Sequence, residues 1–292
     1  MPTVPAAALP DRWFRTTPDS ALLPGPRLLA RSLVDVSVLD ERIRCYERLT
    51  GIPADLRMPI PDFGGLELAA VGNMLLIASA RPFTDIQRRT AYSVIVPSLD
   101  GALRRLDQVG ATVLEPPERI LPGARARVRF PDGAIAELVE HRPNPGERPR
   151  PPEPRTPESR AAGLPGVRLL LRKAVSRSMF ASLVRLYETA LGLDRDTRLQ
   201  ADAPDGVDLA TVGNLLVVGT DGPGLTRAPD VRLALVTSAP GDIPGTRPYG
   251  ADAGRRLVRL EDGSVAEVWA GAAGFPDPPG DSARGTAGTG AP

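Results

Sequence analysis

The sequence predicts two tandem α+β domains, each made of paired βαβββ modules that form curved mixed sheets, the second domain being reduced. Three observations lead there. One long segment recurs further along the chain, helical and strand-like periods alternate in the same order within each copy, and proline-rich stretches separate and flank the copies.

The recurrence comes first. The segment from about Arg27 to Glu140 returns, altered and shortened, from about Arg168 to Trp269. At an offset of 141 the copies match without a gap over nearly fifty residues. Arg27-Leu28-Leu29 meets Arg168-Leu169-Leu170, Arg31 meets Arg172, Tyr46-Glu47 meets Tyr187-Glu188, and Gly51 meets Gly192. The longest match sets Leu68 to Leu75 against Leu209 to Leu216. Asp132-Gly133 and Ala136-Glu137 meet Asp262-Gly263 and Ala266-Glu267 at an offset of 130, so the second copy has lost eleven residues (141 − 130).

Within the first copy, Leu39, Ile43, Tyr46 and Leu49 form an apolar stripe at helical spacing. Leu99, Leu103, Leu106 and Val109 repeat that stripe, with Ser98 as N-cap and Gly110 as stop. A short β-branched run precedes each helix, Leu33–Val38 or Ser93–Val96. Strand-like runs follow: 65–70 and 74–78 after the first helix, 125–130 and 134–139 after the second. Gly72-Asn73 and Asp132-Gly133 are turn dipeptides between strands. The unit is therefore strand, helix, then two or three strands, twice per copy. In the second copy the stretch after Val231–Thr237 is punctuated by Pro and Gly and lacks the second helical stripe, so a loop is expected there.

These signals divide the chain into an N-terminal tail expected to be disordered (1–25), a first domain (26–141), a proline-rich linker (142–165), a second domain (166–270) and a disordered C-terminal tail (271–292). Composition narrows the function. Net charge is +1, which offers no long-range field for nucleic acid or an acidic membrane. The single cysteine, Cys45, excludes an intramolecular disulfide. No run of about 18 apolar residues spans a bilayer, and no basic segment leads into an apolar one at the start, so the cytoplasm is the expected location. One lysine, Lys173, accompanies 35 arginines, which points to a GC-rich, bacterial genome.

The paired βαβββ pattern, the Tyr-Glu-x-x-x-Gly helix end and the closing Asp-Gly-x-x-x-Glu strand resemble the vicinal oxygen chelate superfamily, which includes glyoxalases, extradiol dioxygenases and bleomycin-binding resistance proteins. The resemblance covers both folded segments. It implies two curved sheets in each domain with a ligand held in the cup they form, and in the enzymes a divalent metal held by His and Glu. Carried onto this chain, the first-strand histidine falls at Arg31, the fifth-strand histidine at Ala91 and the last-strand carboxylate at Glu137. In the second copy the positions are Arg172, Val231 and Glu267. One carboxylate does not hold a catalytic metal, so no metal and no cofactor are expected. The only histidine, His141, is expected to be a solvated loop residue.

An arginine at one ligand position and a glutamate at the other lead to a specific expectation. Arg31 should meet Glu137 in one cup and Arg172 should meet Glu267 in the other, as ion pairs in place of the ion. The candidate ligand-binding residues are Arg31, Glu137, Tyr92, Met74, Arg172 and Glu267, and any ligand should sit in the first domain or in the groove between domains. The leading reading is a metal-independent protein that binds a small organic molecule by sequestration or sensing, as a monomer with paired domains or as a homodimer. The first alternative is an enzyme of specialised metabolism that uses acid–base chemistry, with Glu137 as base and Arg31 or Tyr92 stabilising negative charge. Arg31 beside Glu137 would make that base weaker. The second is a non-catalytic interaction module with the proline-rich stretch 142–157 as bait.

Overall fold

A computed structural model describes residues 12–15, 19–60, 65–120, 123–150, 166–221, 231–249 and 252–271. The first domain runs β1 (Trp13–Phe14), β2 (Arg27–Asp35), α1 (Leu39–Thr50), β3 (Leu56–Ile60), β4 (Leu66–Val71), β5 (Met74–Ser79), α2 (Asp85–Arg89), β6 (Thr90–Ile95), α3 (Leu99–Gln108), β7 (Thr112–Ile120), β8 (Gly123–Arg129) and β9 (Ile135–His141). The second runs β10 (Arg168–Val175), α4 (Arg177–Leu191), β11 (Arg195–Asp196), β12 (Val207–Val212), β13 (Leu215–Thr220), β14 (Leu233–Thr237), β15 (Arg247–Tyr249), β16 (Asp252–Arg259) and β17 (Val265–Ala270).

Each domain holds one continuous sheet rather than two. The orders are β1-β3-β4-β5-β2-β6-β9-β8-β7 and β11-β12-β13-β10-β14-β17-β16-β15. The reason is that the first strands of the two modules pair with each other. Arg27 lies opposite Ile95 and Ala30 opposite Tyr92 in β2–β6, and Arg168 opposite Val236 in β10–β14, both antiparallel. Within each module the first and last strands run parallel, which requires a long crossover connection, carried in three of the four modules by a helix. The reduced module of the second domain makes that crossover without a helix, through a single 3-10 turn at Pro240–Asp242.

The helix stripes cover the sheets as their period implies. Leu39, Tyr46, Leu99 and Leu106 join Leu28, Ala30, Val94 and Ala136 in the main core. The Ser98 side chain accepts from the amide of Gly101, and Gly51 closes α1 in the left-handed conformation with φ 67°. Cys45 is packed in this layer, its thiol pushed up to about 11 by burial. Alternation along β2 sends Leu29 to the opposite face, where Ala70, Leu75 and Ile77 line the inside of the cup.

Two segments expected to be disordered or free are tied down where they are described. Trp13 and Phe14 pair with Arg57 and Leu56, and Phe14 is 4% exposed. The Ser20 hydroxyl donates to Val96 O at 2.7 Å and accepts from His141 N at 3.1 Å. Past β9, Arg150 N donates to Phe14 O at 2.8 Å, and Glu147 pairs with Arg12 at 2.6 Å. Proline forbids helix there, but an extended chain can still satisfy the backbone of a sheet edge and cover its apolar side chains. Residues 151–165 and 272–292 lie outside the described residues. No described helix is long and apolar enough to cross a membrane.

His141 is also corrected. It ends β9 and lines a small cavity with Phe14, Ser20 and Asp55 rather than sitting in a solvated loop. Burial, helped by the charge of Arg12, lowers its pKa to about 4.

The domains meet through repeated residues acting reciprocally. Asn73 Nδ2 donates to Leu169 O at 2.9 Å, while its counterpart Asn214 donates to Leu28 O at 3.4 Å and to Asn73 Oδ1 at 2.7 Å. Tyr46 Oη donates to Asp262 Oδ2 at 2.6 Å, and Tyr187 Oη donates to Asp132 Oδ2 at 2.8 Å. Residue contacts residue both ways, as in a two-fold dimer contained in one chain. The symmetry is broken where the second domain lacks its helix: α3 packs along α4, but α1 has no helical counterpart among the described residues.

Two outcomes are expected. Asn214→Ala removes a donor from the buried Oδ1 of Asn73 and should cost about 1–3 kcal/mol in denaturant unfolding; a loss under about 0.5 kcal/mol, typical of surface changes, contradicts the joint. His141 has a lower pKa folded than unfolded, so the unfolded chain binds its proton first. Its contribution is present above the unfolded pKa and is lost as pH falls from about 6.5 toward about 4. Over that window His141→Gln should lose less stability than the wild type, as measured by melting curves at stepped pH.

Candidate functional site: two arginine–glutamate couples and the cavity between domains

Both expected couples form. Arg31 sits in the middle of β2 with its side chain 4% exposed, and its Nη1 lies 3.5 Å from Glu137 Oε2 on β9. Arg172 on β10 donates through Nε to Glu267 on β17, with side chains 3% and 0% exposed. Strand alternation explains both placements, because the arginine and the glutamate occupy the same face of strands one apart in the sheet, with β6 between β2 and β9 and β14 between β10 and β17.

The two couples differ in what surrounds the carboxylate. Across the β8–β9 ladder Arg127 stands opposite Glu137, whereas Leu257 stands opposite Glu267 in β16–β17. Glu137 Oε1 therefore accepts from Arg127 at 3.1 Å and Arg125 at 3.3 Å as well. Glu115 in turn accepts from both of those arginines. Arg31 is left with Nε and Nη1 buried and without a hydrogen-bond partner. Its pKa is lowered by burial first; Glu137 opposes that shift and Arg127 adds to it. Arg172, by contrast, also donates from Nη1 to Val231 O at 3.2 Å. The ladder places Arg232 beside Arg172, through Arg172 N to Arg232 O at 2.7 Å, so Arg232 rather than Val231 is the strand neighbour that the sequence count sought.

Past Ala30 and Leu171 the central strand pairs of the two sheets stop pairing, and a cavity of about 680 Å³ lies between the domains there. Arg31, Met74 and Tyr92 line it from the first domain and Arg172 from the second. Glu137 and Glu267 are not among its lining residues and stand behind their arginines. The groove is one of the two places expected for a ligand, the first domain being the other; the cup of the second domain is packed by Leu170, Leu199 and Trp269.

Residues that sequence reasoning did not single out also line the cavity: Lys173, Tyr46, Asp262 and Ser264. Lys173 pairs with Asp132, whose Oδ2 also accepts from Tyr187. The Tyr187 hydroxyl lies 2.7 Å from that of Tyr92, and burial pushes both phenols well above their usual range. Phe130 stacks on Tyr187 at 5.3 Å between ring centres. The tyrosine and aspartate were visible as repeated residues, but each had a complete local account, on a helix face and in a turn, that hid its reach across the interface.

If Arg172 is held by Glu267, removing the carboxylate strands a buried cation. Glu267→Ala should cost about 3–5 kcal/mol in denaturant unfolding; a loss below about 1 kcal/mol would mean that the pair is not buried as described.

Comparison with families and with curated proteins finds no match. Among solved structures, the chain is similar to an uncharacterized protein from Methanosarcina mazei, at 29% identity, 40% of this chain, 92% of that one and a TM-score of 0.34. It is also similar to the 2,3-dioxygenase LapB from Pseudomonas sp. KL28, at 18% identity, 89% and 96% coverage and a TM-score of 0.46. A third is a Mn(II)-bound glyoxalase from Novosphingobium aromaticivorans, at 12% identity, 91% and 93% coverage and a TM-score of 0.44. The fold itself rests on this chain's strand order: the paired βαβββ modules are those expected, and they join through their first strands into one sheet per domain where the resemblance to the vicinal oxygen chelate fold implied two.

Proposed function

We propose that this chain is a metal-independent protein that takes a small organic molecule into the cavity between its two domains, to sequester or sense it. The single observation that carries the reading is the cavity of about 680 Å³ built by both halves of the repeat. That volume is in the range of small-molecule sites. Apolar walls such as Met74, Leu171, Leu215 and Leu233, with a few cationic groups among them, match the usual composition of such sites.

The donor set supports the metal-independent half. At the positions where the resemblance implies ligands, a divalent cation would face the guanidiniums of Arg31, Arg125 and Arg127 around Glu137. Arg172 occupies the matching place at Glu267. Permanently charged arginines repel a cation and offer it no lone pair, so the residues present do not fit the ion. Among the described residues no three His, Cys, Asp or Glu side chains group as a metal site.

The acid–base alternative gains less. The oxygens of Glu137 are committed to arginines, and the Tyr92 hydroxyl is held against Tyr187. The interaction-module reading has its bait partly fastened to the first domain through Arg150 and partly outside the described residues.

Thermal-shift screening with aromatic and aliphatic metabolites tests the proposal. Several should stabilise the wild type and be recovered unchanged. A ligand at a hundred times its Kd adds about 2.7 kcal/mol. Ala91→Trp, which puts an indole into the cavity, should reduce the shift. Stoichiometric metal in the purified protein, whose chelation abolishes binding, would contradict the metal-independent reading.

A further inference from the structure

The repeat supplies an internal control for Arg31. Its counterpart Arg172, at the same place in the other sheet, has Nε bonded to Glu267 and Nη1 bonded to Val231 O. Arg31 occupies an equally buried position, yet the same two nitrogens have no hydrogen-bond partner. Arg125 and Arg127 take Oε1 of the carboxylate whose Oε2 lies 3.5 Å from Arg31, and each also reaches Glu115. Among the described residues Arg31 has no second carboxylate.

A buried guanidinium with unsatisfied N–H groups is costly to a fold and is retained where something else benefits from it. Burial already disfavours the charged form of Arg31, and an anion beside it would reverse that. The other cations that line the same cavity from the second domain, Arg172 and Lys173, are matched by Glu267 and Asp132. Arg232 is exposed on the same wall. Ala30, Met74 and Ala91 line the cavity on the side of Arg31 together with Ser32, and the one lining carboxylate, Asp262, accepts from Tyr46.

We infer that the ligand of the interdomain cavity is an organic carboxylate, its anionic oxygens received by the guanidinium of Arg31, which lines the cavity, and its apolar body lying against Met74, Leu171 and Leu215. The inference rests on the cavity being the binding site and goes further by naming the chemical class. It also assigns the asymmetry of the repeat a purpose: one arginine is spent on holding a domain together, and the other is kept for the ligand.

The test uses the full chain and ligand-observed NMR with matched pairs, 2-naphthoate with 2-naphthamide and 4-phenylbutyrate with 4-phenylbutanamide. The acids should bind more tightly than their amides, on the order of tenfold to a hundredfold. Arg31→Gln should erase that preference with little loss of melting temperature, because the ion pair it removes carries no hydrogen bond and Glu137 keeps Arg125 and Arg127. Arg31→Lys should keep part of the preference. Should Arg31→Gln fail to fold, the acid-to-amide ratio of the wild type still decides. Equal affinity for acids and amides overturns the carboxylate assignment and leaves the cavity reading standing. Binding undiminished by Ala91→Trp, or no binding of either series, removes the cavity reading and this inference with it.

Discussion

The structure depends on a buried, reciprocal joint between two copies of one sequence. Asn73 and Asn214 occupy the same turn in their respective domains, are 4% and 8% exposed, and each donates to the backbone of the other domain's first strand. Buried amides of this kind are unforgiving, because either one without its partner leaves desolvated polar atoms. The joint therefore fixes how the two sheets face each other. Everything in the cavity follows from that orientation: Tyr46 meets Asp262, Tyr187 meets Asp132, and two splayed strand pairs enclose a common space.

Duplication creates equal sites, and divergence lets them differ. The glutamate at the end of each sheet is kept, and so is the arginine on each first strand. The neighbouring strand carries Arg127 in the first domain where the second has Leu257, and Arg127 joins Arg125 in sharing Glu137. The first cup thereby acquires a network of Arg125, Arg127, Glu115 and Glu137, while the second is packed with an apolar cluster that includes Trp269. The loss of a helix in the second domain moves in the same direction, since that half keeps sheet and interface but little else.

Much of the fold was legible because duplication printed it twice. The stripes Leu39–Leu49 and Leu99–Val109, the Gly72-Asn73 turn and the missing second helix all stand where period and punctuation put them. Strands β3 and β7 were harder to read because Pro59 and the Pro116-Pro117 pair break the apolar alternation. Both survive, and β7 lies at a sheet edge with its ladder shifted around those prolines. The strap of residues 12–15 and 142–150 was invisible for a different reason: its pairing partners are distant in sequence and its own composition reads as coil. At the site, the arginine–glutamate couples could be deduced from the repeat and the resemblance. Sharing of Glu137 with Arg125 and Arg127 could not, because it depends on cross-strand register that no local pattern encodes.

The central claim is that the two domains form one cooperative body through this joint. Scanning calorimetry of the full chain tests it most directly. The account predicts one transition in which the calorimetric and van't Hoff enthalpies agree, a ratio of about one. Two separated transitions, each with roughly half of the heat, would contradict it, because domains that melt independently could not hold a shared cavity in a fixed shape.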